Sequence, residues 1–189
     1  MGSERAEALA ERFEAANRAV RVAIAAATDE RLRTTCPAER CTTVALACHV
    51  ANGHEVVSGW VRTLVAGHAL PPVTMDVVDR ANAEGFARDA GCTRDEALER
   101  LARNGEAAAE TVRGLTDAEL DLTAPFALFG GASVSAQTLI EQILIGDPLA
   151  HLPSIRAASG EATDDERERR EAVPPTIQAR TEAADPTRP

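Results

Sequence analysis

The sequence predicts an all-α protein, a four-helix bundle followed by a short tail. Long runs rich in alanine, leucine, glutamate and arginine favour helix. Within those runs apolar residues return every three or four positions, which is the period of a helix face. Trp60 and four phenylalanines are the only bulky aromatics, and no tyrosine is present, so clusters of strand-forming residues are scarce. A chain of 189 residues suits one domain and can bury a core without covalent staples.

The elements follow in order. Ala6, Leu9, Phe13, Ala16, Val20, Ala23 and Ala27 predict a first helix over residues 3–27. The stretch "TDERLRTTCPAERC" then breaks the period with polar residues and Pro37. A second helix fits residues 42–66, stopping at Gly67 with Pro71 and Pro72 beyond. A third segment opens near Thr74 with Val77, Val78, Ala81 and Phe86, and Gly91 interrupts it. Thr93 with Glu96 forms a capping box for the next helix, whose apolar positions run from Leu98 through Leu115. Thr116 and Glu119 repeat the box before the loop "DLTAPFALFGGAS". The last helix begins near Val134 and fades after Ala158. Beyond it, "SGEATDDERERREAVPPTIQARTEAADPTRP" has too few apolar residues to dock. The bundle is therefore expected over residues 1–158 and a disordered, acidic, proline-containing tail over 159–189.

Composition narrows the function classes. The formal charge is −10 and no basic block exists, which argues against a nucleic-acid binder. No apolar run approaches the ~20 residues of a membrane span, and the amphipathic, charged start is not an export signal. Four irregularly spaced cysteines then read as reduced thiols of a soluble, cytoplasmic protein. Every cationic side chain is arginine, the coding bias of a GC-rich genome.

The helix faces single out three residues. The second helix is expected to bury Leu46, Val50, Gly53, Val57, Trp60 and Leu64, with Asn52, Glu55 and Arg62 opposite. His49 falls on the buried side, His54 on the flank, Cys48 on the polar side, and His68 in the following loop. In the last helix, Leu139, Ile140, Ile143, Leu144, His151 and Ile155 share a stripe that also contains Asp147. A buried carboxylate is costly unless it is paired or binds a metal. Residues four apart project from one side of a helix, so Asp147 and His151 can share an ion, with His49 as third ligand from a facing helix. Two imidazoles and a carboxylate suit zinc, with nickel or another divalent ion as alternatives, and three ligands leave a position open for chemistry. The competing reading makes Asp147 an N-cap with Pro148 at the first helical position, and a kink or restart at Gly146-Asp147 fits either.

These features together resemble the DinB-like (YfiT-type) metal-dependent bundle superfamily. The matching stretches are "VALACHVANGHEVVSGWVRTLVAGHALP", "MDVVDRANAEGF" and "TLIEQILIGDPLAHLPSI", in that order. The resemblance implies a four-helix bundle whose divalent metal is held by His49, Asp147 and His151. The mycothiol-dependent maleylpyruvate isomerases are the more similar members here, since they too place a carboxylate one turn before a histidine. The superfamily implies thiol chemistry: a low-molecular-weight thiol of the mycothiol type is added to an electrophile, by a thiol S-transferase or isomerase. It also places Arg80 and Asn82 near the pocket as substrate contacts, although a solvated arginine and a helix-flank asparagine are the plain alternative.

Other candidates carry less. Cys36, Cys41 and Cys48 with His49 lack the second tight pair of a structural zinc site. Cys92 as nucleophile has no support beyond residue type, and Trp60 and Phe86 read as core. The expected partners are a small-molecule thiol and an electrophilic substrate, without nucleic acid or membrane, and a homodimer is left open. The alternative function is a metal-free bundle that binds a small hydrophobic ligand or acts as an interaction scaffold.

Overall fold

A computed structural model of the protein describes residues 2–159, so the tail expected over 159–189 lies outside the described residues except for Ser159, which ends the last helix. Four long helical units form the bundle: α1 (Glu4–Ala26), α3 (Thr43–Val65), α5 (Arg94–Arg113) and a composite last helix. α5 packs along both α1 and α3, and the last helix closes against α1 and α3. No helix among the described residues is long and apolar enough to cross a membrane.

The helix ends follow from local chemistry. Ser3 caps α1 by accepting from the Ala6 amide at 3.2 Å. α3 ends in a left-handed Gly67 (φ 75°), whose N–H reaches the Leu64 carbonyl while His68 N–H reaches Thr63. That pair of bonds satisfies carbonyls the helix would otherwise leave open. Both capping boxes form: Thr93 N–H donates to Glu96 Oε2 and Thr116 N–H to Glu119 Oε2, each at 2.8 Å. The second opens only the single turn α6 (Asp117–Leu120).

The segments between helices carry more structure than periodicity suggests. After α1 comes a one-turn helix, α2 (Asp29–Leu32), and then a hairpin of β1 (Thr35–Cys36) and β2 (Cys41–Thr42). Arg40, at φ 56°, closes this hairpin in a conformation disfavoured for a residue with a Cβ. The expected loop after α6 is a second antiparallel hairpin, β3 (Thr123–Pro125) with β4 (Ser133–Ser135). It seats Phe126 in the core beside Trp60, ring centres 5.1 Å apart.

Two apolar clusters fill the bundle. One gathers Phe13, Leu120, Phe126, Leu139 and Leu144, and the other Ile24, Leu46, Val50, Leu101 and Ile155. Truncating a fully buried phenylalanine such as Phe13 to alanine costs about 3–5 kcal/mol in comparable cores. Gly105 lets α5 approach α1, because a Cβ there would collide with the Asn17 amide. That amide donates to the Leu101 carbonyl at 3.1 Å.

The last helix starts later than Val134 and is not uniform. α7 (Ala136–Leu139) runs into wider π-helical turns over Ile140–Ile145 and then into α8 (Gly146–Ser159). Pro148 explains the widening: it lacks the N–H that an α-helix would direct to the Leu144 carbonyl, and its ring crowds that oxygen. Gly146 keeps helical angles (φ −67°, ψ −42°), so the chain neither kinks open nor restarts there. Asp147 is therefore a residue within the helix, not an N-cap.

α4 (Met75–Asp89) stands apart from the bundle. Its one buried residue is Asp89, at its C-terminal end. Arg88 and Arg100 each bond that carboxylate at 2.9 Å, and Asn52 Nδ2 lies 3.4 Å away. Burial opposes ionisation of Asp89, but the two guanidiniums outweigh it and hold the carboxyl below its ordinary range. The polar anchor fastens one end of α4 to α3 and α5, while its valines and Met75 face an open space.

Candidate metal centre

That open space is a cavity of about 620 Å³ between α4, α3 and the last helix. Val57, Trp60, Val78, Phe86, Leu128 and Ile143 give it largely apolar walls. His49, Asp147 and His151 line it as well. His49 is offered by α3, and Asp147 and His151 by successive turns of α8, as i,i+4 geometry directs.

The three side chains converge. His49 Nε2 lies 3.8 Å from Asp147 Oδ2, and His151 Nε2 lies 3.4 Å from Asp147 Oδ1. One ligand atom from each residue falls within 4.8 Å of the other two. A tetrahedral ion with bonds of about 2.1 Å spaces its ligands by roughly 3.4 Å, so the set fits such an ion. The side chains keep 19, 33 and 21% exposure for His49, Asp147 and His151, which leaves a side open to the cavity. This cluster could hold a divalent metal ion.

The surroundings suit that use. The β1–β2 hairpin places Glu39 Oε1 3.4 Å from His151 Nδ1, and Ser154 Oγ donates to the same oxygen at 2.7 Å. A carboxylate accepting from Nδ1–H fixes the tautomer that leaves the Nε2 lone pair free, the usual arrangement behind a metal-bound imidazole. Glu39 Oε2 is buried without a partner. Gly53, one turn after His49, keeps the carboxylate clear: a Cβ there would sit 3.8 Å from Asp147 Oδ2, and any longer side chain would press on it.

Electrostatics tie the three residues together. Burial pushes the Asp147 carboxyl up, but the adjacent His151 and His49 imidazoles hold it well below the usual carboxylate range. The adjacent Asp147 carboxylate raises the His151 pKa against desolvation, and Glu39 adds to the rise. His54, expected on a flank, is 1% exposed, with neither ring nitrogen hydrogen-bonded and its ring edge-on to Phe13. Burial pushes its pKa down to about 4, although Asp147 acts in the other direction.

The remaining sequence candidates separate. Asn82 lines the cavity, whereas Arg80 is exposed and absent from its lining. Trp60 and Phe86 are cavity walls as much as core. Cys48, expected on a polar face, is fully buried. Glu39 was not among the residues singled out, since it lies in an aperiodic polar break that carries no signal for its direction.

No curated protein and no solved structure matches the chain. A sequence model of the DinB superfamily matches residues 6–145, which takes in α1 to the π-helical turns and ends just short of Asp147. With the match covering most of the chain, this protein belongs to the DinB superfamily.

Proposed function

We propose that the protein is a cytoplasmic metal-dependent enzyme that transfers a small thiol, of the mycothiol type, to a largely apolar electrophile. The observation that carries the reading is a His-Asp-His cluster opening on one side into an apolar cavity. A divalent ion held there, zinc being the best fit to two imidazoles and a carboxylate, supplies the Lewis acidity that deprotonates a thiol near neutral pH.

The chain's own residues do the rest. His49 and His151 offer Nε2, Asp147 offers its oxygens, and Glu39 holds the His151 ring in place. The apolar walls bind the body of the electrophile and exclude water from its reacting carbon. Asn82 offers an amide to whatever polar group that body carries. Asp79, Asp89 and Asp147 face the cavity together with Arg88, whose guanidinium is engaged with Asp89. In the transfer, sulfur attacks the electrophilic carbon, and either a leaving group departs with the bonding pair or the addition product takes up a proton.

The same cavity also supports a metal-free protein that binds a small hydrophobic ligand. One experiment separates the two. Zinc-loaded protein should accelerate conjugation of mycothiol to the neutral electrophile monochlorobimane, with release of chloride, and chelation should abolish the rate. Binding of a neutral apolar dye that is indifferent to metal, with no conjugation by the zinc-loaded protein, would favour the second reading.

A further inference from the structure

Two cysteines meet beside the metal centre without a part in the chemistry proposed there. Cys48 precedes His49 on α3 and is fully buried, while Cys92 is half-buried in the turn between α4 and α5. The Cys48 thiol donates to Cys92 Sγ across 3.1 Å, and the Cys92 thiol in turn faces the Thr93 carbonyl at 3.6 Å. A disulfide bond needs the sulfurs only about 1 Å closer. The turn that carries Cys92 includes the exposed Gly91, which allows movement on that scale.

We propose that Cys48 and Cys92 form an oxidisable dithiol, a covalent modification site for peroxides. The half-buried Cys92 is the sulfur that a peroxide can reach, and the buried Cys48 is the one that resolves it. Cys92 sulfur attacks one peroxide oxygen, the O–O bond breaks, and the departing hydroxide takes the thiol proton, leaving a sulfenic acid and water. Cys48 sulfur then attacks Cys92 sulfur, the S–O bond breaks, and the hydroxide leaves with the Cys48 proton as a second water. The two thiols lose two electrons in all, and hydrogen peroxide is reduced to two waters.

The other two cysteines provide an internal comparison. Cys36 and Cys41 face each other across the β1–β2 hairpin, yet both are buried and the Cys36 sulfur is engaged with Thr43 Oγ1 at 3.4 Å. Neither offers a sulfur that a peroxide can reach. Oxidation should therefore be selective. The new bond would fasten the end of α4, held in the reduced chain by Asp89, covalently to α3 one residue from His49.

The test uses the full chain, fully reduced and then exposed to excess hydrogen peroxide, alkylated and digested with trypsin. Two of the four thiols should be lost, and the peptide of residues 41–62 should appear disulfide-linked to that of residues 89–94. Because the longer peptide contains both Cys41 and Cys48, Cys41→Ser should retain the link, and Cys48→Ser or Cys92→Ser should abolish it. Retention of all four thiols would overturn the proposal. So would a link from Cys92 to Cys41, or Cys92 driven to sulfinic acid without a link. Fragmentation of the linked wild-type peptide, which shows whether Cys41 or Cys48 carries the alkyl group, decides these outcomes even if a serine variant folds poorly.

Discussion

Lowering the pH from 7 to 5 should cost the metal-free protein about 2 kcal/mol of stability through one side chain, His54. The ring is 1% exposed and neither nitrogen has a partner, so the folded protein keeps it neutral, with a pKa of about 4. In the unfolded chain the imidazole titrates near its ordinary value of about 6.5. At neutral pH neither state binds the proton, and the group has no effect. Below about 6.5 the unfolded state takes it up and the folded state does not, so stability falls with pH. The slope approaches ~1.4 kcal/mol per pH unit, and the loss levels off near 3 kcal/mol below pH 4. His151 acts with the opposite sign. Its raised pKa contributes stability that is present below the unfolded value and lost as pH rises through the folded one. The assay is urea unfolding of chelator-treated protein at pH 7, 6 and 5, comparing wild type with His54→Leu. The leucine removes only the His54 titration, so the difference between the curves isolates it. Wild type should lose about 2 kcal/mol more than the variant between pH 7 and 5. Parallel curves would refute the reasoning, because they would mean that the folded ring finds a proton or a partner.

Other expectations concern the centre. Glu39→Ala removes the acceptor behind His151 and should weaken zinc binding about 10- to 100-fold in a chelator competition. Glu39→Gln retains the hydrogen bond and should lose less, and unchanged affinity in both would detach Glu39 from the site. Gly53→Ala places a Cβ at an ordinary contact distance from Asp147 and should stabilise α3 by roughly 0.5–1 kcal/mol in thermal unfolding. Gly53→Leu should instead press on the carboxylate and lower metal occupancy, and a leucine variant that binds zinc like wild type would contradict the geometry.

The parts of the molecule legible in its sequence are those where one periodic signal dominates. α1 and α5 each turn a single stripe inward, and the Thr93 and Thr116 capping boxes mark where α5 and α6 begin. His49, Asp147 and His151 stood out because polar groups interrupt apolar faces there. α3 is different: its first half is buried nearly all round, so dividing it into a core face and a polar face misplaced Cys48 and His54. Strands of two or three residues are too short to show an alternation, which hid the hairpin that delivers Glu39. Pro148 was legible as a disturbance. Its resolution into π-helical turns upstream depends on how Leu144 and its neighbours pack in the core, which no local pattern specifies.

Asp147→Asn tests most directly whether Asp147 works with His49 and His151 as a metal ligand. The amide keeps the shape of the side chain and removes the anionic oxygen that faces both imidazoles. Zinc affinity is measured for wild type and variant by competition with a chromogenic chelator, alongside metal content as purified. Wild type should hold about one divalent ion per chain, and the variant should bind zinc more than tenfold less tightly. Wild-type protein that takes up no zinc, nickel or cobalt, or a variant that binds as tightly as wild type, would contradict that role for Asp147.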